Sequence, residues 1–303
     1  MPQTNASQFI SVTFRMQTGV QLTLLLTLTI AAVHGETGFF LSTRRVQENP
    51  QQVEAKVEAL VRSSFYAADP AVLAIPRWLG NISSPEISAV ISARLQQQES
   101  NIFSVDLTEA SDETEIIDSV ASLVIVLNNQ FDVPLDRILV VGFAEGVHLA
   151  GGVAAKVQQE LGRQLSQITA LDPSAGEELD HKLSRADAEF VEVVHTNAGG
   201  EGTWEQLGHV DYYPNGGQSQ PGCSTDSCSH ERAFELLAEM WSPENDFVSA
   251  RCGSVESLGA SSCRWSTHKM GQKGEEQPAS GIYFLETRQS SPFSRGAYFI
   301  SFL

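Results

Sequence analysis

The chain is poor in cysteine, in basic side chains and in long apolar runs, and each shortage excludes something. Its 303 residues include four cysteines, Cys223, Cys228, Cys252 and Cys263, and none earlier. They form no Cys-x-x-Cys pair and lack histidines at ligand spacing, which argues against a zinc site. Lys and Arg number 19 against 37 Asp and Glu, a formal net charge of −18. Nucleic acid and anionic membrane surfaces are poor partners for so acidic a chain. No apolar run reaches the roughly 20 residues that cross a bilayer, so no stable membrane anchor is expected. There is also no long linker, internal repeat or low-complexity block.

The longest uncharged apolar run is "VQLTLLLTLTIAAV", Val20 to Val33, with Arg15 before it and "HGE" after it. A basic start, a short apolar stretch and small residues near Gly35-Glu36 form the pattern of a secretory signal. Residues 1–35 are therefore expected to be removed, with Met16 as a second candidate start. Residues 36–303 are expected to form one secreted, extracellular domain. Residues 1–35 hold one Arg and no acid, so the remainder is slightly more acidic than the whole. An even number of cysteines behind a secretory signal argues for two disulfides. Asn81-Ile82-Ser83 is then a usable glycosylation sequon, whereas Asn5-Ala6-Ser7 would leave with the signal.

Strand and helix patterns alternate through the rest. "GFFLSTRR" (Gly38–Arg45), "AVLAIP" (Ala71–Pro76), "NIFSVDL" (Asn101–Leu107), "DRILVVG", "QITALDP" and "EFVEVVHT" (Glu189–Thr196) read as strands. Helical spacing marks Pro50–Phe65, through Val53, Val57, Leu60 and Val61, and also "EISAVISARLQQQ", "TEIIDSVASLVIVLNNQF" and "GVHLAGGVAAKVQQELG". Strands that are apolar throughout, separated by helices, predict an α/β fold with a mostly parallel sheet covered on both faces. From Gly208 onward the chain is rich in loops.

"ILVVGFAEGVHLAGG", Ile138 to Gly152, carries the chemistry. An apolar strand runs into Gly142-x-x-x-Gly146 and then into an amphipathic helix pattern. This is the layout of a nucleophile elbow, the tight turn that lifts a serine into an active site. The serine's place is taken by Ala144. Elbow-bearing hydrolases supply their acid and histidine later in the chain, at the C-terminal ends of strands. Asp172, just after "QITAL", and His230, in "GCSTDSCSHERAFE", fit that order.

Five further stretches, "ITALDPSAG", "ADAEFVEVVHTNAG", "LGHVDYYPNGGQSQPGC", "CSHERAFE" and "SGIYFLETRQSSPF", resemble in order and spacing the pancreatic-type neutral lipases. That family includes phospholipases A1 and the insect yolk proteins. The resemblance is densest from Gly142 to Phe293 and thin from Asn81 to Asp132. It implies an α/β-hydrolase fold, with Asp172 as the triad acid and His230 as the triad base. It also pairs Cys223 with Cys228 at the base of the family's lid, and Cys252 with Cys263. Only "STDS" lies between the first two, so the lid is nearly deleted and the cleft is expected to stand open. No counterpart of the family's C-terminal β-sandwich is expected in residues 36–303.

Three departures from the family pattern fall on the chemistry. Ala144 has no atom able to attack an acyl carbon. The family's His-Gly step before its first oxyanion-hole donor is Pro76-Arg77, so the donor aligns with Trp78 on a loop stiffened by proline. The second donor is the amide of Glu145, whose carboxylate opposes an oxyanion. Neither Glu145 nor Ser229, beside His230, sits where a replacement nucleophile should. Asp187 matches one calcium ligand of the family, but Lys182 and Ser184 stand nearby, and a hard cation needs several oxygen donors. No metal and no cofactor is expected. His148, His195 and His209 read as structural.

These features predict a secreted lipase-family protein without catalysis that binds a lipid or other apolar small molecule in an open cleft. The competing expectation is an active carboxylic-ester hydrolase of triacylglycerol lipase or phospholipase A1 type. A decoy that binds an active lipase's protein partner is a third.

Overall fold

The computed structural model describes residues 37–77, 85–108, 112–175, 179–259, 263–272 and 280–296, together with two strands nearer the N-terminus. The chain divides into two compact units, Met1–Gly35 and Glu36–Leu303. In the first, β1 (Ile10–Arg15) pairs antiparallel with β2 (Gln21–Leu26), Ile10 opposite Leu26. No helix among the described residues is long and apolar enough to cross a membrane.

The second unit follows the alternation read from the sequence. In chain order come β3 (Gly38–Ser42), β4 (Gln51–Val53), α1 (Val57–Val61), β5 (Ala71–Ile75), α2 (Pro85–Gln97) and β6 (Asn101–Asp106). Then come α3 (Glu113–Phe131), β7 (Ile138–Phe143), α4 (Gly146–Leu161), β8 (Leu165–Leu171), β9 (Ala188–Val194) and β10 (Val210–Pro214). Last are α5 (Asp226–Met240), β11 (Val248–Cys252), β12 (Arg264–Lys269) and β13 (Gly281–Leu285). Eleven strands make one sheet in the order β12-β11-β13-β10-β9-β8-β7-β5-β6-β3-β4. The run from β6 to β13 is parallel, and antiparallel strands flank it at both ends.

Alternate residues of the central strands serve opposite faces, which is why these strands read as unbroken apolar runs. On β7, Val140 joins the cluster under α3 and α4, while Val141 and Phe143 join the one under α2 and α5. On β9, Val191 and Val193 face the first cluster, and Phe190 and Val194 the second. Asp112 caps α3 by accepting the Glu115 amide, and Thr225 caps α5 by accepting that of Cys228.

One expected element resolves differently. The helix expected over Pro50–Phe65 is a short edge strand, β4, followed by the five-residue α1. Pairing with β3, which sets Val53 opposite Phe39, takes the backbone of Gln51–Val53 out of any helix. Val53 and Leu60 are buried, but Val61 is 68% exposed, so the apolar spacing spans two elements instead of one helical face.

Disulfides join Cys223 to Cys228 and Cys252 to Cys263. The first staples the entry to α5, and the second ties the end of β11 to the segment entering β12.

Candidate functional site

The turn after β7 is as tight as its glycines suggest. Ala144 has φ +53°, in the left-handed region that L-residues enter at a cost. Its amide donates to the Leu171 carbonyl at 3.1 Å. A Cβ on Gly142 would lie 2.5 Å from the Gly146 carbonyl oxygen, and one on Gly146 only 2.2 Å from that of Pro76. Both glycines are therefore required by close backbone approach. α4 starts straight from this turn without a side-chain cap, and half-buried Glu145 is its helical N-terminal residue. This elbow, on a central strand of a mostly parallel sheet, defines the α/β-hydrolase fold.

Asp172 and His230 meet beside it. Asp172 leaves β8 with φ +39°, so two left-handed non-glycine residues sit together at the site. Its Oδ1 accepts the amides of Thr196 at 2.7 Å and Asn197 at 2.9 Å. Its Oδ2 lies 2.5 Å from Nδ1 of His230. Gly202 passes so close that a Cβ there would stand 2.6 Å from the carboxylate. His230 projects from α5 and packs its ring on Phe143 at 4.4 Å, which in turn packs on Phe234 at 4.3 Å.

The other face of the imidazole carries the unexpected feature. Nε2 of His230 is buried and has no hydrogen-bond partner among the described residues. Oε2 of Glu201 stands 3.9 Å from it and forms an ion pair with Arg77 at 3.0 Å. The Arg77 guanidinium lies 6.0 Å from the Phe143 ring centre. Ala144 is 1% exposed, and Asp172 and His230 are fully buried. The expectation of an open cleft is thus corrected at its centre. Although only four residues separate Cys223 from Cys228, Arg77 and Glu201 lie beside His230.

Other sequence-derived candidates distribute as follows. Ser229 is buried, and its Oγ accepts the Gln220 amide at 3.1 Å, an engagement apart from the imidazole. Trp78 and Asn81 lie outside the described residues. Asp187 is buried with both oxygens engaged, by His181 Nε2 at 3.2 Å and by the Ser184 amide at 2.7 Å. Hydrogen bonding to Asp187, more than burial opposes it, raises the His181 pKa. No group of three or more His, Cys, Asp or Glu side chains able to hold a metal occurs among the described residues.

The three histidines read as structural, His148, His195 and His209, have partners. His148 accepts the Leu183 amide at Nδ1 and faces the Ser174 carbonyl through Nε2 at 3.0 Å, the pattern of a neutral ring. Burial pushes its pKa down. His195 lies between the Thr203 carbonyl and Asp211 and stacks on Tyr213 at 4.3 Å. His209 accepts the Val191 amide.

Two acids of interest gave no sequence signal. Glu201 has no motif, since it reaches His230 through a loop closed by its own amide donating to Asn197 Oδ1. Glu192 is the buried one of two acids in β9, Glu189 being exposed. It is buried, Oε1 accepts from Thr169 and Gln167, and burial raises its pKa.

Beside the elbow, between the sheet, α2 and α5, lies an almost wholly apolar cavity lined by Ile75, Val90, Ile91, Phe143, Leu237 and Trp241. Its free volume is only about 20 Å³.

The family model described as Lipase matches residues 16–293. The chain belongs to the lipase family. Its similarity is to distant relatives of pancreatic type. It is 28% identical to the human inactive pancreatic lipase-related protein 1, over 64% of this chain and 49% of that protein. To human phospholipase A1 member A it is 33% identical, over 58% of this chain and 42% of that one. To lipase member H-A of Xenopus laevis it is 30% identical, over 56% and 42% respectively. The chain spans about half the length of these curated relatives or less. Among solved structures, Est1E from Butyrivibrio proteoclasticus is similar at 14% identity and TM-score 0.31, over 55% of this chain and 52% of that one.

Proposed function

We propose that this lipase-family chain does not hydrolyse esters, and that it acts outside the cell by binding a lipid-derived apolar ligand. One observation carries the first part. The apex of the elbow, where the family's nucleophile belongs, holds a buried methyl group, Ala144, in the left-handed conformation the turn imposes. A hydrolase of this design needs an atom there that His230 can deprotonate. Instead, His230 Nε2 has no hydrogen-bond partner among the described residues, and Glu201, paired with Arg77, stands 3.9 Å from it. Pro76 supports the same reading, because its carbonyl presses on Gly146 and its ring removes an amide from the loop that should supply an oxyanion donor. Ser229 offers no substitute while its Oγ serves Gln220.

The ligand-binding part rests on the apolar cavity beside the elbow and on the family's chemistry, and secretion on the signal-like leader and the two disulfides. The intact Asp172–His230 pair favours the competing reading of an active carboxylic-ester hydrolase. Mass spectrometry of lipids that co-purify with the secreted chain, beside an ester-hydrolysis assay, separates the two. A bound lipid without turnover is expected, and turnover above background contradicts the proposal.

A further inference from the structure

Trp204 is one of three large apolar side chains exposed among the described residues, at 38%. Its position is fixed from within the fold. The indole stacks on Tyr213 at 6.1 Å and 13°, and Tyr213 stacks on buried His195 at 4.3 Å and 4°. The Tyr213 hydroxyl donates to the Trp204 carbonyl at 3.0 Å. Gly199 passes so close that a Cβ there would stand 2.6 Å from the indole nitrogen. An aromatic ring ordered in advance loses little freedom when a ligand covers it.

Trp204 lines an open cavity of about 630 Å³ together with Glu205, Gln206, Val255, Glu256 and Leu258. None of these residues lines the apolar cavity beside the elbow, and the volume suits a small-molecule site. Val255 and Leu258 extend the apolar wall, and the polar side chains rim it. Both rim carboxylates already have partners. Glu205 pairs with Lys182, and hydrogen bonding to the Ser254 side chain holds Glu256 below its ordinary pKa. Each carboxylate keeps further lone pairs for hydroxyl donors, and the Gln206 amide can both donate and accept. Two carboxylates repel an anion. With Lys182 on Glu205 the rim carries a single net charge, and at an exposed site that holds a cation only weakly. The wall instead suits a neutral ring that is apolar on its faces and polar at its edge. A pyranose with equatorial hydroxyls has that shape, because its axial C–H bonds can meet the electron-rich face of an indole.

We infer that Trp204 is the platform of a saccharide-binding site, which takes a hexopyranose ring of β-glucosyl type stacked on the indole. Its hydroxyls donate to the carboxylates of Glu205 and Glu256 and exchange hydrogen bonds with the Gln206 amide. This site is separate from the elbow and stands whether or not the chain binds a lipid there.

Calorimetric titration of the whole chain with cellobiose, sorbitol and choline tests it. Sorbitol offers hydroxyls without a ring face, and choline is the cation an aromatic site would prefer. Cellobiose should bind about tenfold more tightly than either, the size of one good aromatic contact. Trp204→Ala should remove that advantage, and Trp204→Phe, which keeps an aromatic face, should recover part of it. Recovery by Phe separates lost stacking from lost folding. Glu256→Gln, at an exposed side chain, should weaken cellobiose severalfold. Preference for choline, equal binding of cellobiose and sorbitol, or cellobiose binding indifferent to Trp204→Ala overturns the inference. Absence of cellobiose binding overturns it as well.

Discussion

Ala144 decides what this site can do, and its neighbours decide whether restoring one atom would change that. A serine introduced at 144 would find His230 held by Asp172. It would also find the Arg77–Glu201 pair beside Nε2 and Pro76 against the turn. Ala144→Ser alone is therefore expected to leave ester hydrolysis at background. Removing a triad member commonly lowers turnover by about 10⁶, and a single mutant that recovers most of that factor would show that these neighbours are harmless. Glu192 makes a different prediction. Its carboxylate is buried in the sheet, and burial holds its pKa up against hydrogen bonds from Thr169, Gln167 and the Gly271 backbone. A raised carboxyl pKa means the folded chain binds the proton more tightly than the unfolded one. Stability from this group accordingly falls as pH rises from the unfolded value toward the folded one. Glu192→Gln keeps the shape and the acceptor for Thr169 and Gln167. It should stabilise the chain at neutral pH, on the order of 1 kcal/mol, and flatten that part of the pH dependence in urea melts. Destabilisation at pH 7 would mean that the charge itself is needed.

At the scale of elements, the elbow and the strands beside it were legible because each requirement is local. Gly142 and Gly146 are demanded by approaches of 2.5 and 2.2 Å, and apolar strands serving two faces leave a pattern any reading of hydropathy detects. The segment 50–65 misled because Val53 and Leu60 bury their side chains from different elements with helix-like spacing. Glu201 left no trace because its meeting with His230 is set by a loop packed from Asn197 to Gly202, far from α5 in sequence. The open cleft was misread for the same reason, since disulfide spacing says nothing of what else approaches the histidine. His148 tethers α4 to the loop after β8 in neutral form, with Nδ1 accepting the Leu183 amide. Its lowered pKa means the unfolded chain takes up a proton that the folded chain resists. Stability from this tether is complete above about pH 6.5 and declines as pH falls from there toward the folded value, by at most about 1.4 kcal/mol per pH unit. Comparing urea melts of wild type and His148→Asn from pH 8 to 5 should show a steeper fall in wild type, the remainder in the variant coming from His209 and His268, whose pKa values burial also lowers.

At the scale of the whole molecule, sheet order, elbow and family agree, and the proposed loss of catalysis rests on a few residues around His230. The fold retains what shapes an α/β-hydrolase site: the left-handed turn, the Asp172–His230 contact and the glycines that let backbone pass close. Pro76 backs the turn at Gly146, and the Arg77–Glu201 pair stands beside His230 Nε2. A fluorophosphonate tests this directly, because it phosphonylates, with loss of fluoride, a hydrolase nucleophile that a general base has activated. Intact mass spectrometry of the wild-type chain after exposure to such a probe should show no added mass. A stoichiometric adduct, lost on His230→Ala, would contradict the account by demonstrating a working nucleophile despite Ala144.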